Sequence, residues 1–156
     1  MAGETRSAGL LLHREGAAGP EVLIAHMGGP FWARKDDGAW SIPKGRFEDG
    51  EGALAVALRE FEEEIGTPPP AGDPVALGDF RQPSGKTLTV FALRGDLDVT
   101  EIRSNLFEME WPRGSGRIQS YPEMDRAGWM PPAVARAKVV KGQIAVIDAF
   151  ERTLGT

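Results

Sequence analysis

Glu60, Glu63 and Glu64 stand at i, i+3 and i+4 within the run Glu60-Phe61-Glu62-Glu63-Glu64. On an α-helix those spacings bring three carboxylates onto one face, a few ångström apart. Like charges that close repel and weaken the helix unless something compensates them. A divalent cation is the natural compensation, and carboxylate oxygens suit a hard ion such as Mg²⁺, with Mn²⁺ as a substitute. The competing reading is a solvated acidic face beside a packed core, because exposed glutamate is common. Cysteine is absent, so zinc-thiolate, disulfide and catalytic-thiol chemistry are excluded. His13 and His26 lack metal-ligand spacing and read as surface or strand residues without a catalytic part.

For the carboxylates to act, a helix must aim them. Leu54, Leu58, Phe61 and Ile65 recur at spacings of four, three and four, which predicts a helix over residues 52–65. Their stripe is expected to be buried on a different side from the acids. Gly66 stands where a C-cap glycine belongs, and Pro68-Pro69-Pro70 prevents continuation. Strands are expected at 8–12 and 21–26, around a Gly- and Ala-rich turn at 14–20. Residues 31–38 read as a polar loop, and 40–42 as a short strand stopped by Pro43. A strand pair is expected at 75–80 and 87–93, around Pro83-Ser84-Gly85, and a further strand at 106–111. A basic loop follows at 112–117. Residues 125–130 lead into Pro131-Pro132, and a terminal helix is expected at 133–154, interrupted near Gly142. Strands before and after a central helix, with a second helix last, predict an α/β/α sandwich with a mixed sheet.

The 156 residues suit a single domain over 1–156 with a real hydrophobic core. A net charge of −5 argues against wrapping duplex nucleic acid, but not against a small anionic substrate met by local basic groups. Leu10-Leu11-Leu12 is too short an apolar run for an export signal or a membrane span. The expectation is therefore a cytoplasmic protein without membrane contact. A homodimer stays open.

The segment from Gly45 to Gly66 resembles the signature of the Nudix hydrolases. Gly45, Glu51, Arg59, Glu60, Glu63, Glu64 and Gly66 match it at fixed spacing, with Phe61 at the internal apolar position. Thr67 departs from the pattern, where the family has an aliphatic residue. The resemblance implies an α/β/α fold and metal-dependent hydrolysis of a diphosphate linkage in a small-molecule nucleotide. It implies Glu60, Glu63 and Glu64 as metal ligands, joined by the backbone carbonyl of Gly45. It also implies that Glu51 and Arg59 pair, the loop before the helix folding back on it. Trp40-Ser41-Ile42-Pro43-Lys44-Gly45 is similar to the W-x-x-P-K-G stretch of members acting on dinucleoside polyphosphates and inositol pyrophosphates. Dinucleoside polyphosphates such as diadenosine tetraphosphate are the preferred substrates on that pattern. The alternatives are nucleoside triphosphates, ADP-ribose, inositol pyrophosphates, RNA 5′ ends, or a non-catalytic nucleotide-binding module.

The family draws a further carboxylate from the second half of the chain, as metal ligand or general base. Glu110 and Glu123 are the candidates, and an alternating strand would put Glu108 and Glu110 on one face. Lys44 is a candidate phosphate-neutralising charge. Lys86, Arg81, Arg113 and Arg117 lie on turn-like segments that could grip phosphates, or merely solubilise. Of the four tryptophans, Trp40, Trp111 and Trp129 read as core. Trp32, in a polar loop beside the signature, is the candidate for stacking on a base.

Overall fold

A computed structural model describes residues 6–154. Thus part of the N-terminal reading, before Arg6, lies outside the described residues. Eight of the described elements surround the site: β1 (Arg6–Gly16), β2 (Gly19–Met27), β3 (Trp40–Ser41), β4 (Lys44–Phe47), α1 (Ala53–Ile65), β5 (Val75–Arg81), β6 (Thr87–Arg94) and β9 (Met124–Met130). Between the last two stand β7 (Leu106–Glu110) and β8 (Ile118–Pro122), and after them come α2 (Pro132–Lys138), a 3₁₀ turn (Lys141–Gln143) and α3 (Ile144–Leu154). Seven strands form one mixed sheet in the order β3-β2-β1-β6-β5, with β4 also pairing β1 and β9 pairing β2. Within it β1 and β6 run parallel, and the other pairings are antiparallel. β7 and β8 make a separate two-stranded ribbon.

Alternation along β1 and β2 decides which layer each side chain feeds. Leu10, Leu12, Leu23 and Ala25 point to one side, where Val56, Ala57, Phe61 and Ile65 of α1 cover them. Leu11, Val22 and Ile24 point to the other, under Ala135, Val139, Val146, Ile147 and Phe150 from the C-terminal helices. The result is the expected α/β/α sandwich. Every strand anticipated from the sequence is present. β4, β8 and β9 were not anticipated. β4 reads Lys-Gly-Arg-Phe and has no apolar alternation, but it borrows its partner from the edge of β1 in the register Ala8↔Gly45 and Gly9↔Lys44.

The stripe expected on α1 is only half correct. Phe61 and Ile65 are buried, but Leu54 is exposed and Leu58 half-buried, while Val56, Ala57 and Glu64 take the inner face. The acids and the apolar face are therefore not separate, and Glu64 is 5% exposed. Gly66 closes the helix in the left-handed conformation, its N–H donating to the Glu62 carbonyl at 2.7 Å. The terminal helix is divided where expected, by the 3₁₀ turn containing Gly142.

One buried polar residue joins the two halves of the chain. Gln143 is fully buried; its Oε1 accepts from the Ile42 N–H at 2.9 Å and its Nε2 donates to Ser41 Oγ at 2.8 Å. This fixes the chain just before Pro43-Lys44-Gly45. Gln143→Leu keeps the volume but strands the Ile42 N–H in the core, which costs about 1–3 kcal/mol. Urea unfolding should show that loss at an unchanged m-value. A loss under about 0.5 kcal/mol would show that the tether is not structural.

Candidate active site

A cleft of about 710 Å³ opens between α1, β4, the β5–β6 turn and the 3₁₀ turn. Its acidic residues are Glu60, Glu64 and Glu123, and its cations are Lys44, Arg46, Lys86 and Lys141. The helix acids reach it because β4 runs beside α1. A Cβ on Gly45 would stand inside the Glu60 carboxylate, so only glycine lets that side chain lie against the β4 backbone. The Lys44 N–H donates to Glu64 Oε1 at 3.4 Å.

Glu64 is buried, Glu60 half-buried and Glu123 exposed. Burial pushes Glu64 up to about 8; Lys44 opposes that rise, and Glu123 and Glu60 add to it. Burial pushes Glu60 up to about 7, with Glu63 the next cause. A partly desolvated cluster of acids that resists ionisation is a site short of positive charge. Its oxygen donors fit a hard divalent cation. Among the described residues no group of three or more His, Asp or Glu side chains is placed as it stands to hold a metal ion. The chemical fit therefore rests on the donor set and its unmet charge.

Glu51 has a different neighbourhood. Arg59 Nη1 donates to Glu51 Oε2 at 2.6 Å, and the Glu48 N–H donates to Glu51 Oε1 at 2.9 Å. These bonds, Arg59 first, hold the Glu51 carboxyl below its ordinary value. Arg59 also approaches Glu63, at 3.9 Å, and so lies over the acidic face from outside the cleft.

The second-half candidates divide. Glu123 lines the cleft. Glu110 does not: its oxygens accept from the N–H groups of Gly114 at 2.7 Å and Gly116 at 3.1 Å, closing the β7–β8 turn. Glu108 shares its exposed ribbon face. Arg113 and Arg117 stand on that same exposed turn, outside the cleft lining, as does Arg81 at the end of β5. Lys44 and Lys86 are in the lining. Trp32 is not; it packs against the core layer under α2 and α3, edge-on to Phe31. Arg46 and Lys141 were missed in the sequence. Arg46 falls on the unanticipated β4, and Lys141 in a helix break that carried no motif. His26 lies in a strand as read, but it is fully buried. Its Nδ1 is 2.9 Å from Asp125 Oδ1 and its Nε2 is 2.7 Å from the Lys35 carbonyl.

The raised value of Glu64 has a consequence for stability. Its folded value of about 8 lies above its ordinary value of 4.5, so the folded chain holds a proton that the unfolded chain releases between them. Stability conferred by the protonated form is full at low pH and is lost as pH rises through that window. Glu64→Gln removes this titration. In chelator, the melting temperature of the variant should gain on the parent progressively from about pH 5 to about pH 8. A constant difference across that range would show that Glu64 is ionised in the metal-free fold.

Comparison with known proteins agrees with this architecture. The NUDIX domain family matches residues 3–150. An RNA pyrophosphohydrolase of Roseobacter denitrificans is 27% identical over 143 residues, covering 85% of this chain and 89% of the relative. Among solved structures, an Ap4A hydrolase of C. elegans in a binary complex superposes with a TM-score of 0.67 at 18% identity, covering 95% of this chain and 97% of that one. The NUDIX domain of NrtR from Shewanella oneidensis, complexed with ADP ribose, gives 0.66 at 15% identity, covering 99% and 90%. At those identities the structures speak for the fold alone, and the match along nearly the whole sequence carries the assignment: this chain belongs to the NUDIX domain family.

Proposed function

We propose that this Nudix hydrolase cleaves a phosphoanhydride bond in a nucleoside polyphosphate with the help of Mg²⁺, and that dinucleoside polyphosphates such as diadenosine tetraphosphate are its preferred substrates. The observation that carries the reading is the cleft in which Glu60, Glu64 and Glu123 meet Lys44 and Lys86. ADP-ribose, nucleoside triphosphates, inositol pyrophosphates and RNA 5′ ends are the competing substrates. The last has the support of the pyrophosphohydrolase relative.

Glu60, Glu63 and Glu64 would hold the cation, with the Gly45 carbonyl beside them. When bound, such an ion supplies positive charge to phosphate oxygens and lowers the pKa of water. Lys44 places a compact charge next to the acidic wall, where it neutralises a phosphate that the carboxylates alone would repel. Lys86 does the same from the β5–β6 turn. Arg59 and Glu51 orient each other and the outer face of α1. Glu123 is the residue we assign as proton acceptor for the attacking water. It lies in the cleft, and it comes from a different segment than the helix acids. Glu51 is a poor acceptor because Arg59 stabilises its ionised form. Glu110 is occupied by two backbone donors on the ribbon.

A substrate panel with phosphate or mass-spectrometric readout tests the reading, run with Mg²⁺, with Mn²⁺ and with excess EDTA. Turnover should need the ion. Glu123→Gln should lower kcat about 10²–10⁴-fold and flatten the acidic limb of its pH profile, whereas Glu110→Gln should leave both near the parent. Undiminished turnover in chelator would end the metal-hydrolase reading. A loss under tenfold in Glu123→Gln would move the proton acceptor elsewhere.

A further inference from the structure

The cleft has two chemically opposite walls. The carboxylates stand on one side. On the other, Lys86 and Lys141 come from segments 55 residues apart in sequence. Four hydrogen bonds fix the backbone around Lys141. The Val140 N–H donates to the Trp40 carbonyl at 2.9 Å. Gln82 Nε2 donates to the Gly142 carbonyl at 3.0 Å, clamping the 3₁₀ turn to the β5–β6 turn that carries Lys86. Gln143 is bonded to Ser41 and Ile42 in the core. Gly142 has no room for a side chain: a Cβ would run into Gln82 and lie 2.8 Å from Pro83 Cδ. An ordinary surface lysine is not flanked by anchors on both sides. Nor does any ion pair among the described residues occupy Lys44, Arg46, Lys86 or Lys141, although Arg14, Arg59, Arg126, Arg136 and Lys138 are all paired.

A second observation concerns what the cleft lacks. No aromatic side chain lines it. Bases are held mainly by stacking on aromatic or guanidinium planes, and of these the lining offers only the guanidinium of Arg46. The exposed ring nearest in kind, Phe31, has the Lys35 ammonium 3.7 Å above its centre, and Trp32 is spent on packing. Four cations without an aromatic platform describe a site that reads phosphate rather than base.

We propose that Lys141, clamped beside Lys86 through Gln82 and Gly142, is a specificity-determining residue that binds phosphates of a chain longer than a diphosphate, and that the cleft ranks substrates by phosphate number and not by base. The proposal rests on the hydrolase reading for its substrate, but not for its first measurement. A diphosphate linkage seated at the acidic wall leaves the basic wall unused. A longer chain reaches both walls, and each further phosphate finds a charge already in place.

Inorganic tripolyphosphate is a probe with no base and, in EDTA, no hydrolysis. Calorimetric titration in EDTA should show binding to the parent that weakens about tenfold or more in Lys141→Ala and recovers in Lys141→Arg. Arg152→Ala, an exposed charge deletion on α3, serves as the control and should bind as the parent does. Gly142→Ala, which forces the two turns apart, should weaken binding with Lys141 still present. In Mg²⁺, Lys141→Ala should raise KM for diadenosine tetraphosphate and leave ADP-ribose unchanged, and exchanging adenine for guanine in the tetraphosphate should alter kcat/KM less than threefold, roughly the scale of a weak contact. Equal tripolyphosphate affinity in Lys141→Ala and parent would overturn the proposal, as would a base preference above about tenfold. A protein that binds tripolyphosphate through Lys141 but hydrolyses nothing would sink the hydrolase reading and leave this one standing.

Discussion

The structure depends on keeping negative charge where water is scarce. Glu64 is a glutamate on the inner face of an amphipathic helix, among Ala57, Phe61 and Ile65, and its burial is the main reason its carboxyl resists ionisation. Desolvated charge is tolerated only when something pairs with it. Most local features of this half of the molecule serve that requirement. β4 lies on the edge of β1 so that the Lys44 N–H donates to Glu64, and the Lys44 charge opposes the rise that burial imposes on that carboxyl. Gly45 leaves space for the Glu60 side chain against the β4 backbone. The hydrophobic residues on either side of Glu64 hold the helix at a depth it would not choose for its acids.

The opposing wall is fixed by a different device, a few hydrogen bonds from amide side chains. Gln143 ties the 3₁₀ turn to the segment before Lys44, and Gln82 ties it to the β5–β6 turn. A buried amide that satisfies all its partners specifies geometry, because any displacement leaves a donor or acceptor unpaired. The two walls therefore cannot drift apart independently. The approach to the acids, Ser41 to Gly45, and the turn carrying Lys141 move as one body.

Much of this was readable in the sequence, and the failures have physical causes. The helix, its closing Gly66 and the Glu51–Arg59 pair are as read, Gly45, Glu60 and Glu64 line the cleft while Glu63 does not, and the strand alternation in β1 and β2 sorted side chains between the two cores. The helix stripe was misassigned because a glutamate took a buried position that hydrophobic counting gives to Leu54 and Leu58. β4 was invisible because it has no alternation of its own and gains its hydrogen bonds from a distant edge. Glu110 and Glu123 were indistinguishable as sequence. Only the fold shows that one caps a ribbon turn and the other enters the cleft. Lys141 had no motif and no neighbouring charge pattern. Its significance is entirely tertiary, since its anchors come from residues 40–42 and 82.

The net charge of −5 also misleads if read as a uniform property. It disfavours wrapping a duplex, yet it is compatible with a cleft that holds four unpaired cations. Field in a concave, partly desolvated site is set by the nearest groups, and distant surface acids are screened within about 10 Å at moderate salt. The acidic wall repels a bare polyanion, so in the metal-free protein phosphates are attracted to the basic wall alone. On the proposed reading, compensating the carboxylates with a cation would remove that repulsion and let the two walls cooperate on one chain of phosphates. For the proposed dinucleoside polyphosphate, the arrangement would give an unsymmetrical orientation to a nearly symmetrical substrate. One end of the chain would be drawn to the carboxylates and Glu123, where bond cleavage is proposed, and the other to Lys86 and Lys141 on the facing turns.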